Sequence, residues 1–137
     1  MKMGGNNKIS KEQLVNVYYL LQTRLVELTK ARDLLYTQLA EIQKTIESIR
    51  GIREGNKFLI PLGSGVLAFS DSLKKDKLLI EIGSDVFVER TPEEGIKILE
   101  KRNEKIREKI REVEKELIQT QTQMENLLKE IEKLKKV

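Results

Sequence analysis

No cysteine and no histidine occurs anywhere in the chain. The first absence excludes disulfides, thiolate nucleophiles and cysteine-based metal sites. The second removes the commonest general base and the commonest metal ligand. Tryptophan is missing too, and aromatic residues are only 4% of the sequence, thin material for a large compact core. No apolar run approaches the roughly 18 residues of a membrane span. The first residues, MKMGGNNK, lack the apolar stretch of a secretory signal, so a cytoplasmic protein without a membrane partner is expected. A hydrolytic enzyme is disfavoured on the same grounds. No catalytic residue, metal or cofactor is expected.

What is present is charge and periodicity. Charged residues make up 35% of the 137 positions, both signs are interspersed, and the net charge is +4. That excess permits weak attraction to anionic surfaces without demanding a nucleic-acid partner. The length suits one domain. Residues 1–9 read as a flexible N-terminus ahead of three segments that differ in period.

The first segment, 10–52, opens with SKEQ, a capping box in which Ser10 and Gln13 satisfy each other's backbone amides. Apolar residues then recur every seven: Leu14, Leu21, Leu28, Leu35, Ile42 and Ile49. A second row lies four residues after each member: Tyr18, Leu25, Arg32, Leu39 and Ile46. Alternating steps of four and three make a coiled-coil seam. A helix of about 40 residues is roughly 60 Å long, too long for a compact domain of this size. The segment RGIREG, with Gly51 and Gly55, offers its end.

The last segment, 91–136, mirrors the first. Thr91, Pro92 and Glu94 supply an N-cap, a first-turn proline and a capping-box acid. Its seam rows are Ile96, Asn103, Ile110, Leu117, Met124 and Ile131, and Leu99, Ile106, Val113, Thr120, Leu127 and Leu134. Pairs such as Glu104–Arg107 and Glu108–Arg111 alternate in sign along the surface. They read as a solvated helix face, because a nucleic-acid arm needs one sign. Antiparallel pairing sets Ile49 near Ile96, Leu14 near Ile131, and Arg32 opposite Val113. Arg32, Asn103 and Thr120 are polar interruptions of the kind that fix register at some cost in stability.

The middle segment, 57–90, contains LIPLGSGV, from Leu59 to Val66. Gly63, Gly65 and Ala68 match the spacing of a dinucleotide-binding loop. Such a loop must open a helix, and here VLAFSDS follows, which reads as a strand and a turn. Twenty residues on, LIEIGSDV repeats the pattern from Leu79 to Val86. A repeated strand, Gly-Ser, strand pattern predicts two β-hairpins, each with a type II′ turn centred on Gly-Ser. Four short strands, apolar on both faces and with open edges, need partners. Several chains pooling their hairpins in a shared β-barrel hub would close those edges. The expected hub residues are Leu59, Ile60, Leu62, Val66 and Leu67 in the first hairpin. In the second they are Leu79, Ile80, Ile82, Val86 and Val88. The fold class is therefore α+β: a long antiparallel two-helix coiled coil with two central hairpins.

This plan resembles the α-class subunits of prefoldin. FLIPLGSGVLAF and LLIEIGSDVFVERTPEEGIKILEKR look like the corresponding segments, including the hydrophobic-glycine turns and the VERT entry into the last helix. The resemblance implies an ATP-independent holdase built of two α-type and four β-type subunits around a double β-barrel. Coiled-coil tips would hold unfolded proteins and deliver them to a group II chaperonin. A self-assembling filament of the γ-prefoldin type is the other implied possibility. The expected client-binding residues are Leu14, Val15, Tyr18 and Tyr19 on the first helix, joined by Val17. On the last helix they are Leu127, Leu128, Ile131 and Leu134, with Val137 ending the chain. Lys129, Lys133, Lys135 and Lys136 make that end basic, moderated by Glu130 and Glu132, and suit an acidic patch on a chaperonin.

Overall fold

The computed structural model describes residues 10–55, 57–71 and 74–135; the N-terminal residues 1–9, Lys136 and Val137 named above lie outside them. The element order is α1 (Lys11–Glu54), β1 (Phe58–Gly63), β2 (Val66–Ser70), β3 (Leu78–Gly83), β4 (Val86–Arg90) and α2 (Pro92–Lys135). Two compact units divide the chain: Met1–Tyr36 with Glu108–Val137, and Thr37–Arg107.

Both helix starts are capped as their sequences require. The Ser10 amide donates to Gln13 Oε1 at 2.9 Å, and the Gln13 amide donates back to Ser10 Oγ at 3.2 Å. At α2 the Thr91 amide donates to Glu94 Oε1 at 3.0 Å and the Glu94 amide to Thr91 Oγ1 at 3.2 Å. Each box satisfies two amides that the first helical turn leaves without partners. The Thr91 amide is the main reason that the Glu94 carboxyl sits below its usual range. At its other end α1 runs through Gly51 and stops at Glu54. The Gly55 amide closes the last turn on the Gly51 carbonyl at 3.0 Å.

In the unit of Thr37–Arg107, Ile46 and Ile49 of α1 meet Ile96 and Leu99 of α2 in a buried cluster, against which Ile42 and Leu78 pack. The predicted approach of Ile49 to Ile96 is therefore present. Each such side chain contributes roughly 1.5–3 kcal/mol by leaving water. Gly95 lets β3 come close: a Cβ there would lie 3.1 Å from Ile80 Cδ1 and 3.2 Å from Leu78 Cδ1. Arg102 Nη2 donates to the Glu81 carbonyl at 2.7 Å, tying the second hairpin to α2. Lys75 Nζ donates to the Gly55 carbonyl and lies 6.0 Å from the centre of the Phe58 ring, holding the first hairpin at the end of α1.

In the other unit the seam buries Leu14 and Leu28 of α1 and Ile110, Leu117, Thr120 and Ile131 of α2. Arg24 Nη2 bridges to Glu116 across the helices at 2.8 Å. Both partners are half exposed, so the pair adds little beyond register. Of the seam positions named from periodicity, Leu134 alone is exposed.

The four strands form two separate antiparallel pairs, β1–β2 and β3–β4. Their turns correct the expected type. The loops are Ser64-Gly65 and Ser84-Asp85, because Gly63 pairs with Val66 and Gly83 with Val86. All four loop residues have positive φ: 52° and 79° in the first loop, 48° and 61° in the second. Positive φ at both central positions is the type I′ signature, whose twist matches the flanking strands. A bulge shifts the register between Pro61 and Gly63, and between Glu81 and Gly83, moving each turn one residue beyond Gly-Ser. Asp85 thus occupies a left-handed position that glycine fills in the first hairpin. Asp85→Gly is expected to stabilise the protein by about 1 kcal/mol. The hydrogen bond from residue 85 to Glu81 Oε2 is a backbone one and survives the change. Thermal melting checks this; a lower midpoint would mean that the aspartate side chain supports the turn.

Candidate functional site

Two sets of side chains are left without cover in the single chain. The first lies on the hairpins. Leu59, Ile60, Leu62, Val66 and Leu67 of the first hairpin are exposed, and so are Leu79, Ile82 and Val86 of the second. Ile80 and Val88 are half-buried, on the face that meets α2 near Gly95. Two large side chains escaped the sequence reading: Phe69, 86% exposed, and Phe87, 53% exposed. Period-two alternation from Leu67 reaches Phe69, and the twenty-residue repeat sets Phe87 at the position of Leu67. They pair across the strands with Leu59 and Glu81 respectively.

The second set lies on the helices of the other unit. The structure separates the residues proposed as client contacts into three groups. Leu14 and Ile131 are buried in the seam; Val15, Tyr18 and Leu127 are half-buried; Tyr19, Leu128 and Leu134 are exposed. Val17 is exposed as well. Further along, Leu20, Val26, Leu34 and Tyr36 of α1 and Ile118 of α2 are exposed apolar residues that the sequence reading passed over. All five fall off the seam rows, and counting apolar residues at those off-seam positions would have found them. Tyr19, Leu25, Val26 and Met124 line one shallow groove with Gln22 and Thr23. The Tyr18 and Tyr19 rings meet edge to face, 6.4 Å between centres. Lys129, Lys133 and Lys135 are exposed beside Glu130 and Glu132.

The polar seam residues differ in how well they are accommodated. Arg32 is half-buried and reaches Asp33 Oδ1 from both Nε and Nη2 at 3.3 Å. Off the seam, Tyr36 Oη donates to Glu114 Oε2 at 3.1 Å, the main reason that its phenol lies above its ordinary range. Asn103 is only 2% exposed, and its Oδ1 accepts no hydrogen bond from the described residues. A buried acceptor without a partner costs about 1–3 kcal/mol. Asn103→Leu is therefore expected to raise the melting midpoint, and by more than Arg32→Leu, because Arg32 keeps its charge paired at the rim. Calorimetry of the two variants ranks them. A fall for Asn103→Leu would reveal a donor on that oxygen.

Among the described residues no group of acids could hold a metal ion, and no helix is long and apolar enough to cross a membrane. Gly63, Gly65 and Ala68 lie in a hairpin and lead into β2, with no helix N-terminus for a phosphate to rest on. The arrangement offers apolar surface for association.

Comparison with known proteins gives a consistent result. The family model described as Prefoldin subunit matches residues 21–136. Prefoldin subunit alpha of Pyrococcus horikoshii is 34% identical over 104 residues, covering 73% of this chain and 70% of that protein. Prefoldin subunit alpha of Thermofilum pendens is 30% identical over 100 residues, covering 71% and 78%. Among solved structures, the filamentous PFD of Methanocaldococcus jannaschii, determined by cryo-EM, superimposes with a TM-score of 0.72 at 20% identity, covering 87% of this chain and 98% of that one.

Proposed function

The chain belongs to the prefoldin family, and from that premise we propose that it is an α-class subunit of an ATP-independent holdase. In this reading the hairpins join it to β-class subunits, or to further copies of itself, through a shared β-barrel hub. Exposed apolar side chains near the free ends of the helices hold non-native proteins and pass them to a group II chaperonin in the cytoplasm. No catalytic residue and no cofactor takes part.

The observation that carries this reading is the contrast between the two kinds of element. The seam between the helices is filled, whereas the hairpins leave most of their apolar side chains in water. Contiguous apolar surface of that kind marks an interaction site. Exposed Tyr19, Leu20 and Leu128, rimmed by charge, suit weak contacts with unfolded chains. A self-assembling filament is the second reading, compatible with the likeness to the filamentous PFD.

The test is light scattering from a chemically unfolded protein diluted into buffer with the purified chain, alone and with a β-class partner. Scattering should fall in proportion to added chain and should be indifferent to ATP. Sedimentation of the same samples separates a discrete hexamer from a filament. Undiminished client aggregation with the assembled oligomer present would overturn the holdase reading.

A further inference from the structure

The two hairpins repeat one pattern but are fastened to the helices in different ways. On the inner face of the second, Leu78, Ile80 and Val88 are half-buried. Leu78 packs on the cluster of Ile46, Ile49, Ile96 and Leu99, and Gly95 of α2 lets both Leu78 and Ile80 come close. The twenty-residue repeat sets Phe58, Ile60 and Ala68 at the same places in the first hairpin. There Ile60 is 41% exposed, and among the described residues none of β1 or β2 packs on that cluster. The first hairpin is held at its root instead. Phe58 lies so near Gly55 that a Cβ there would be 3.2 Å from Phe58 Cε1. Lys75 is half-buried in the connection between β2 and β3. It donates to the Gly55 carbonyl and lies 6.0 Å from the centre of the Phe58 ring. The Gly55 amide closes the last turn of α1, so that carbonyl stands at the helix end, where acceptors lack intrahelical partners and the dipole is negative.

We propose that Lys75 is a latch: its ammonium sets the direction in which the first hairpin leaves α1, and loss of its positive charge frees that hairpin to swing about its root. One cation makes both contacts. Its charge strengthens the bond to the carbonyl, suits the negative end of the helix and is attracted to the face of the ring. A neutral group of the same reach loses all three attractions together, so the hold depends on charge as well as on shape. The second hairpin has a separate hold. Its apolar packing beside Gly95 and the bond of 2.7 Å from Arg102 Nη2 to the Glu81 carbonyl do not involve Lys75. A two-stranded pair is marginally stable in water by itself, so a hairpin fastened at one end takes its direction from that fastening. Lys75 is thus a positioning residue for β1 and β2, and the switch lies within a single chain.

Because the chain has no cysteine, spin labels attach only where one is introduced. One labelled pair, Ser48→Cys with Ser64→Cys, joins α1 to the turn of the first hairpin. The other, Ser48→Cys with Ser84→Cys, joins α1 to the turn of the second. All three serines are exposed. The labelled full chain is diluted into unlabelled chain of the same variant, so that pulsed electron paramagnetic resonance reads distances within one chain. Lys75→Gln is expected to turn a single narrow distance between residues 48 and 64 into a broad distribution, and to leave the distance between 48 and 84 unchanged. Lys75→Arg keeps the charge and is expected to keep the wild-type distances. Circular dichroism of each variant follows the helices, which the latch does not support. The latch is overturned by an unchanged distance between 48 and 64 in Lys75→Gln, by equal broadening of both pairs, or by a distribution already broad in the wild type. Broadening by Lys75→Arg as great as by Lys75→Gln, or loss of helicity in Lys75→Gln, overturns it too.

Discussion

An Ile82→Asp chain is expected to sediment as a monomer that keeps its helical circular dichroism. Ile82 is the unpaired residue at the β3 bulge and is 59% exposed, so the substitution removes little from its own chain. If hairpins pool into a hub, the same side chain is covered there. An unpaired carboxylate in that apolar setting costs several kcal/mol. Multiplied over the copies of one assembly, this exceeds what a set of short strands can offset. Ile80→Asp is a poorer choice, because Ile80 packs beside Gly95 and its loss damages the subunit as well. The helices should survive dissociation, since their seam lies within one chain. Analytical ultracentrifugation at micromolar concentration, with far-ultraviolet dichroism on the same samples, gives the answer. An Ile82→Asp chain that sediments like wild type would place Ile82 outside any interface.

The second large effect is expected from Tyr19→Ser, Leu20→Ser and Leu128→Ser combined. All three residues are exposed, so the seam and the hairpins are left intact and the oligomer should sediment unchanged. Suppression of client aggregation should nevertheless be lost. In the proposed holdase each arm would contribute a weak apolar contact, and a client held by several arms at once would amplify a small loss per arm into a fall of 10²-fold or so. Leu14 and Ile131 are unsuited to this test, because both are buried and their replacement would loosen the helix pair. Retained protection by the triple variant would move the binding surface elsewhere, with Val26, Leu34 and Ile118 as the next candidates.

Much of this architecture is legible in the sequence. The heptad rows identified the seam because a side chain every 3.5 residues returns to one face of a helix, whatever else the chain does. The buried Leu28, Ile46, Ile110 and Leu117 all come from those rows. Both capping boxes were equally plain, since they involve residues three apart and nothing distant. The internal repeat announced the hairpins. Its turns were misplaced by one residue because a bulge is decided by the pairing of two strands, which a local Gly-Ser signal does not contain.

Other features could be decided only once the elements had been brought together. Periodicity names Leu14 and Leu134 alike as seam residues, but the first is buried and the second exposed, because periodicity fixes the helix face a side chain occupies and not what covers it. Asn103 reads as a polar interruption like Arg32; its burial and unpartnered oxygen follow from its neighbours on α1 and α2. The exposure of Phe69 beside Leu59, against the acid-bearing face of the second hairpin, needed the register of each strand pair. The sequence alone thus determined the helices, their seam and the number of hairpins, since these follow from contacts within a few residues and from a repeating period. The tertiary structure decided which apolar residues remain in water, because burial belongs to a side chain and its distant neighbours together.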